Sequence, residues 1–98
     1  MHKIFYQDIL YFEGYKDYTK LYLSTSTSPL LILHNLKYFE SIMDESEFIR
    51  IHRSYIVSVR KTNTISRKSV TIGNISLPVS DNYRDSLFKK IEGPGTDV

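Results

Sequence analysis

The sequence predicts a mostly β domain with two short α-helices, and two patterns carry this prediction. Most of the apolar segments are short, and several alternate with polar residues, which is typical of half-buried strands. Only two segments repeat apolar residues at steps of three and four, as the buried face of a helix does. A chain of 98 residues is long enough for one domain with a modest core and too short for two.

The first strands are predicted on either side of a hairpin loop. Residues 9–13 form a compact apolar run, and residues 18–23 alternate so that Thr19 and Leu21 share one side. Between these runs, residues 14–17 contain Gly and Asp, which suit a tight turn. Further strands are predicted at 30–33, 48–52 and 75–79. Between the last two, Ile65 on one side and Val70 and Ile72 on the other mark the arms of a hairpin that turns at residues 67–69.

Turn and edge signals lie among these later strands. Gly73 and Asn74 predict a two-residue turn that leads into the last strand. Pro78 cannot donate to a strand ladder, so the last strand is predicted to lie at a sheet edge or to stop there.

The two helices are predicted from their apolar spacing and their ends. Asn35 is a good N-cap for the first helix, whose buried stripe is predicted from Leu36, Phe39 and Met43 and is widened by Ile42. The second helix is predicted to begin near residues 80–82 and to stop at the Gly-Pro-Gly of 93–95. Its expected buried face consists of Tyr83, Leu87 and Ile91, with Phe88 beside them.

The charge is small overall but unevenly distributed. The net charge is +2, yet the stretch from residue 48 to residue 80 contains no Asp or Glu and six cations: Arg50, Arg53, Arg60, Lys61, Arg67 and Lys68. An acidic cluster comes just before it: Glu40, Asp44, Glu45 and Glu47. Like charges repel, so the basic stretch faces either open water or an anionic partner. Charge alone leaves both interpretations open.

The residue pattern argues against most enzyme and metal chemistry. His52 and Ser54 are close in sequence and Asp81 would complete a triad, but no Gly-x-Ser-x-Gly elbow supports one. The three histidines are widely separated, the acids do not fall at calcium-loop spacing, and no Gly-rich phosphate loop is present. We therefore predict no enzymatic activity, no metal and no cofactor.

The cysteine count and the hydropathy bear on localisation. There is no cysteine, so the sequence offers neither a disulfide framework nor a thiolate metal site. The chain does not start with the apolar run of a signal peptide, and no stretch approaches the ~20 apolar residues of a membrane span. These features predict a cytoplasmic protein that does not contact a membrane.

Residues 50–57, Arg-Ile-His-Arg-Ser-Tyr-Ile-Val, combine basic, polar and apolar side chains. The three aliphatic residues can anchor the segment in the core, so that Arg50, His52, Arg53 and Ser54 point elsewhere. Arginine suits bidentate hydrogen bonds to guanine, whereas serine suits phosphate. The alternative is that Arg50 and His52 pair with the nearby acidic cluster.

This segment also carries a family resemblance. It is followed about twenty residues later by the Leu-Pro-Val-Ser of 77–80, and it is preceded by the Asp-Ile-Leu-Tyr-Phe-Glu of 8–13 and by the helix that starts at Asn35. With these motifs the chain, from about residue 3 to residue 91, resembles the LytTR domain, the DNA-binding output module of many bacterial response regulators. The resemblance implies an elongated, mostly β fold of about ten short strands in small packed sheets. It also implies that loops, and not a recognition helix, enter the DNA grooves.

The resemblance implies three DNA-facing loops, at residues 16–19, at Arg53 and at residues 80–82. The residues expected to read bases are Arg53, Tyr18, Thr19 and Asp81. Those expected to contact phosphate or to position the protein are Lys16, Lys20, Arg50, His52, Ser54, Asn82 and Arg84. Asp81 departs from the family pattern, which commonly has Arg at this position. A carboxylate there reads a different base, for which cytosine N4 is the suitable donor, or the contact is lost.

The resemblance also implies partners and a place in a larger protein. The expected partner is double-stranded DNA, in paired direct repeats that two copies of the domain occupy as a homodimer. A receiver domain is expected to precede this chain in a two-component transcription regulator. We assign residues 1–92 to the DNA-binding domain and residues 93–98 to a flexible tail. The alternatives are a β-scaffold protein-interaction module and, more remotely, an RNA-binding β domain that stacks tyrosine rings on bases.

Overall fold

The computed structural model describes residues 3–92, which fold into eight strands and two α-helices. The elements are β1 (Ile9–Tyr15), β2 (Tyr18–Leu23), β3 (Leu30–Ile32), α1 (Leu36–Ile42), β4 (Phe48–His52), β5 (Tyr55–Ser58), β6 (Thr64–Ile65), β7 (Ser69–Ile72), β8 (Ile75–Pro78) and α2 (Asp81–Glu92). All strand pairs are antiparallel, in a five-stranded sheet of order β3-β2-β1-β5-β4 and a three-stranded sheet of order β6-β7-β8. The predicted tail at 93–98 lies outside the described residues.

The predicted fold class is confirmed. The domain is elongated, with principal extents of 42 × 24 × 24 Å, and its two sheets are small. The described residues form eight strands rather than the ten or so that the family resemblance implied. Neither helix in this part of the chain is long and apolar enough to cross a membrane.

The strand register brings two hairpin tips to the same end of the large sheet. Tyr15 pairs with Tyr18 across the turn between β1 and β2, and His52 pairs with Tyr55 across the turn between β4 and β5. β1 and β5 are neighbours, and the Gly14 N–H donates to the carbonyl of the residue before β5 at 2.9 Å. Because β1 ends where β5 begins, the two tips lie side by side.

The large sheet separates two hydrophobic clusters. One lies against α1: Ile9, Phe12, Leu21, Leu36, Phe39, Met43, Phe48 and Ile56. The other lies against α2 and the small sheet: Tyr11, Ile49, Ile51, Val57, Val70, Ile72, Leu77, Val79 and Leu87. Neighbouring residues of β1 and β5 enter opposite clusters because side chains alternate across a sheet. We call these the α1 cluster and the α2 cluster.

The N-cap of the first helix is confirmed, but its predicted apolar stripe is too wide. The side chain of Asn35 accepts the Tyr38 N–H at 2.9 Å. Leu36 and Met43 are buried as expected, whereas Ile42 is 51% exposed. At 3.6 residues per turn Ile42 lies about 120° around the helix from Leu36, which places it outside the face that meets the sheet. The prediction for Ile42 was wrong.

The turn and edge signals of the second half are confirmed. Ile72 pairs with Ile75 across Gly73 and Asn74, and Gly73 has a φ of 61°, which favours glycine. β8 ends at Pro78 and is an edge strand of the small sheet. The missing N–H of the proline therefore costs the sheet no ladder bond.

Candidate nucleic-acid interface

Three loops meet at the end of the large sheet where the β1–β2 and β4–β5 hairpins turn. The first loop is the β1–β2 turn at residues 16–17, and the second is the β4–β5 turn at residues 53–54. The third, residues 80–82, joins β8 to α2, and the Ser80 N–H donates to the Ile51 carbonyl near the end of β4 at 3.0 Å. The structure thus brings together the three segments that the family resemblance implied, and we call this region the loop end.

The first loop projects a lysine and an aromatic ring. Lys16 has a φ of 56°, in the left-handed region that is costly for residues other than glycine. Lys16 and Tyr18 are both exposed. The Nζ atoms of Lys16 and Lys20 lie 5.5 and 4.4 Å from the centroid of the Tyr15 ring. Two cations therefore flank one exposed ring at the tip of this hairpin.

Thr19 does not belong to the accessible part of this loop. Its side chain is 0% exposed, and its Oγ1 donates to the His34 carbonyl at 2.7 Å. The assignment of Thr19 as a base reader is therefore wrong for this conformation. The alternation of β2 had already placed Thr19 on the side of Leu21, which is buried in the α1 cluster. The local strand pattern was the better guide at this position.

Replacing Thr19 by valine is expected to lower the free energy of unfolding by about 1 kcal/mol and to leave DNA affinity unchanged. The substitution keeps the shape of the side chain and removes its part-buried hydrogen bond to His34. Urea denaturation measures the first effect, and a fluorescent-duplex titration measures the second. Thr27→Val, at an exposed position, is the matched control. A normal unfolding midpoint with impaired DNA binding would restore Thr19 to the interface.

The second loop presents Arg53 at its tip. Arg53 is exposed, whereas Ser54 and His52 are half-buried. The Ser54 N–H donates to Nδ1 of His52 at 3.0 Å. His52 therefore carries its proton on Nε2, and that group remains a donor for a partner. The hairpin is closed by its own histidine and offers an arginine to solvent.

Arg50 lies behind this loop and not on its surface. Its side chain is only 15% exposed and pairs with Glu40, with 2.9 Å between Nη1 and Oε1. Its Nε donates to the His52 carbonyl at 3.1 Å, and its Nη2 donates to the Arg53 carbonyl. The prediction that Arg50 contacts phosphate is wrong in this conformation, because its guanidinium is committed to internal partners. Pairing with the acidic cluster, the alternative for this residue, is what the structure shows.

The third loop presents a carboxylate held by an arginine. The Asp81 side chain is 89% exposed, and its Oδ1 lies 2.7 Å from Nη1 of Arg84. Arg84 is only 20% exposed and also donates to the carbonyls of Arg67 and Val79. Three acceptors thus engage its guanidinium, which leaves little of it to contact a phosphate. Asn82 is exposed beside this pair.

A family model for the LytTr DNA-binding domain matches residues 1–92. The chain belongs to the LytTR family. Among solved structures, it is similar to one described as the LytTr DNA-binding domain of a methyl-accepting/DNA response regulator from Bacillus cereus. That match has a TM-score of 0.74 and 27% sequence identity, and it covers 93% of this chain and 86% of the other.

The LytTR domain has an open groove of about 410 Å³ between its first and second loops. The groove is lined by Gly14, Lys16, Asn35, Leu36, Lys37, Arg50, Arg53 and Ser54, and no carboxylate is among these residues. Lys16, Lys37 and Arg53 are exposed around it. Three exposed cations around a groove that is lined by no carboxylate favour an anionic partner at this groove.

Lys37 is the member of this groove that sequence reasoning missed. It lies on α1, and the sequence alone does not show that α1 starts at the loop end. Thr19 pairs with Ile32, so the antiparallel β3 delivers the chain back to this end just before the helix begins. The only sequence signal was a lysine two residues after the N-cap, which is not specific. Arg67 and Lys68 were also left unassigned, although the carbonyls of both accept donors from residues that flank the third loop.

A half-buried carboxylate, that of Glu13, links the strands beneath the loops of the LytTR domain. Glu13 on β1 accepts the hydroxyl of Tyr22 on β2 at 2.9 Å and that of Tyr55 on β5 at 3.3 Å. Burial, and then Glu13, raises the pKa of both tyrosines above the ordinary value of 10.0. Both hydroxyls therefore remain donors at neutral pH, and the link between the first and second hairpins stays intact.

Replacing Lys16 by glycine is expected to raise the free energy of unfolding by about 1 kcal/mol, because glycine has no Cβ and adopts the left-handed backbone conformation of this position without strain. The same change is expected to weaken duplex binding, because the loop end loses a cation. Thermal melting and DNA titration measure the two effects. Lys16→Asn is the companion variant, since asparagine tolerates this backbone without charge. A lower melting temperature for Lys16→Gly would show that the turn stores no strain.

Proposed function

We propose that this LytTR domain reads duplex DNA through its three loops and serves as the output domain of a transcription regulator, without enzymatic activity. One observation carries the proposal: three loops from separate parts of the chain converge at one end, with exposed Arg53 beside an acid-free groove. Neither helix offers a comparable basic face, and α2 begins with Asp81, not with a cation.

Arg53 is the proposed principal base reader. Its guanidinium projects from a tight hairpin, and arginine forms bidentate hydrogen bonds to guanine O6 and N7 in the major groove. Tyr18 in the first loop and Asp81 in the third are proposed as the further base readers. Asp81 is proposed to accept from cytosine N4, and its pairing with Arg84 offsets the repulsion between its carboxylate and the phosphates.

Phosphate contacts are proposed for polar and cationic groups around these readers. The set consists of Lys16, Lys20, His52, Ser54 and Asn82 from the sequence prediction, with Lys37 added from the structure. Lysine acts on phosphate as a point charge, and serine and asparagine donate to phosphate oxygens. These contacts fix the position of the domain on the duplex and carry no sequence information by themselves.

The larger assembly is part of the same proposal. We propose that a receiver domain precedes this domain in a cytoplasmic two-component regulator, and that two copies occupy paired direct repeats as a homodimer on DNA. A single domain with this modest charge is expected to bind weakly, since each neutralised phosphate contributes only part of the affinity. The second copy then supplies the remainder through proximity.

A salt titration of a fluorescent duplex tests the proposal. The duplex is obtained by selecting bound sequences from random DNA, and a scrambled duplex serves as the control. With phosphate contacts from Lys16, Lys20 and Lys37, the logarithm of the binding constant is expected to fall with that of salt at a slope of about −3. No binding to any duplex at ~50 mM salt would favour a protein-interaction module. A preference for single strands would favour an RNA-binding domain.

A further inference from the structure

Arg50 occupies the junction between the second loop and both helices. It lines a cavity of about 290 Å³ together with Glu40 of α1 and Tyr83 of α2. Its guanidinium carbon lies 5.6 Å from the centroid of the Tyr83 ring. One side chain is therefore in contact with the helix of the acidic cluster, with the helix that follows the third loop, and with the second loop.

The contacts of Arg50 with the second loop determine how Arg53 is directed. Nε donates to the His52 carbonyl and Nη2 to the Arg53 carbonyl. These carbonyls belong to the peptide groups immediately before and after the Arg53 Cα. Because peptide groups are planar, fixing both of them fixes the φ and ψ of Arg53 and so the direction of its Cα–Cβ bond.

Glu40 holds the remaining edge of this guanidinium. Its Oε1 lies 2.9 Å from Nη1 of Arg50, and its side chain is 47% exposed. A half-exposed ion pair adds little to the free energy of folding. Its directional effect is larger, because a planar guanidinium that is held at one nitrogen presents its other N–H groups along fixed directions.

We infer that Glu40 is a positioning residue for DNA recognition, which acts through Arg50 on the backbone of Arg53. The inference rests on the proposed function and goes beyond it. An acidic residue on α1, which itself repels DNA, thus determines how well the domain discriminates its site from other sequences. The loss of Glu40 is therefore expected to change the ratio of specific to nonspecific affinity much more than it changes the overall affinity for DNA.

Paired alanine variants test this inference. Glu40→Ala and Glu47→Ala remove the same charge from the same acidic cluster, but the carboxylate of Glu47 pairs with Arg60, at 3.6 Å and away from the loop end. Both variants are expected to bind a scrambled duplex slightly more tightly than the unaltered domain. Only Glu40→Ala is expected to reduce the ratio of specific to nonspecific affinity, by about fivefold to tenfold. Glu40→Gln keeps an acceptor oxygen and is expected to restore part of the ratio.

A second readout reports on the free protein. In Glu40→Ala the amide resonances of Arg53 and Ser54 are expected to shift and their hydrogens to exchange faster, while those of Glu47→Ala stay unchanged. Arg50→Lys keeps the charge but loses the fork of donors, so it is expected to lower the specificity ratio at least as much. A circular-dichroism melt verifies that each variant is folded before binding is measured.

The outcomes separate this inference from the proposed function. If the unaltered domain binds its selected duplex specifically and Glu40→Ala has the same ratio as Glu47→Ala, the positioning role is overturned and the proposed function stands. Equal losses of Arg50→Lys on both duplexes would make Arg50 a phosphate contact and overturn the positioning role. If the unaltered domain binds no duplex at all, the proposed function fails and the positioning role fails with it.

Discussion

Replacing Arg53 by alanine is expected to weaken binding to the selected duplex by about 1–3 kcal/mol and to leave binding to scrambled DNA nearly unchanged. The asymmetry follows from geometry. An exposed guanidinium at the tip of a tight hairpin gains its bidentate hydrogen bonds only when the right base lies opposite. The fold should be unaffected, because the Arg53 side chain has no internal partner among the described residues. Fluorescence anisotropy on both duplexes measures the difference.

Arg60→Ala is the matched control for this prediction. Arg60 is also an exposed arginine, at 73% of its side chain, but it follows β5 at the opposite end of the large sheet. It carries the same charge away from the loop end, so Arg60→Ala is expected to leave binding to both duplexes nearly unchanged. Equal losses for Arg53→Ala on the selected and the scrambled duplex would demote Arg53 from a base reader to a phosphate contact.

Replacing Leu87 by alanine is expected to lower the free energy of unfolding by about 2–5 kcal/mol. Leu87 is 1% exposed and joins α2 to the α2 cluster. The substitution removes buried methyl groups and leaves a cavity that the two surrounding sheets cannot fill. Since a small domain has only about 5–15 kcal/mol of stability, this loss is severe. The urea midpoint should fall while the slope of the transition stays the same.

The same variant tests how the third loop is held. α2 begins within that loop, so partial release of the helix should also weaken binding to the selected duplex. This loss is expected at urea concentrations below the unfolding midpoint, where the domain is still folded. Lys89→Ala, at an exposed position two residues further along the helix, is the control and should change neither property. A small loss of stability in Leu87→Ala would show that α2 contributes little to the core.

Local structure could be predicted from the sequence wherever one residue pattern determines it. The alternation of residues 18–23 gave the bounds of β2, and Asn35 gave the start of α1. Sheet order could not be predicted, because the pairing of β1 with β5 joins residues more than forty positions apart. Such pairing depends on which apolar faces meet, and not on any local preference.

The site could be predicted only as far as its segments. Sequence and resemblance located the three loops, but they did not distinguish outward from inward side chains within them. Thr19 and Arg50 have the residue types of DNA contacts, and both are turned inward by strand alternation or by internal acceptors. Lys37 was missed for the opposite reason, since only tertiary structure brings α1 beside the first two hairpins.

The placement of one sheet between two clusters has a consequence for how the domain comes apart. Phe12 and Ile56 are buried on one side of β1 and β5, and Tyr11 and Val57 on the other, so neither cluster can melt while the other remains intact. The amide hydrogens of these central strands should therefore exchange only through global opening, at a common free energy. Amide hydrogens that exchange through short-lived local openings are expected only in the outer turns. The domain can thus adapt its tips to a partner without loosening the framework that carries them.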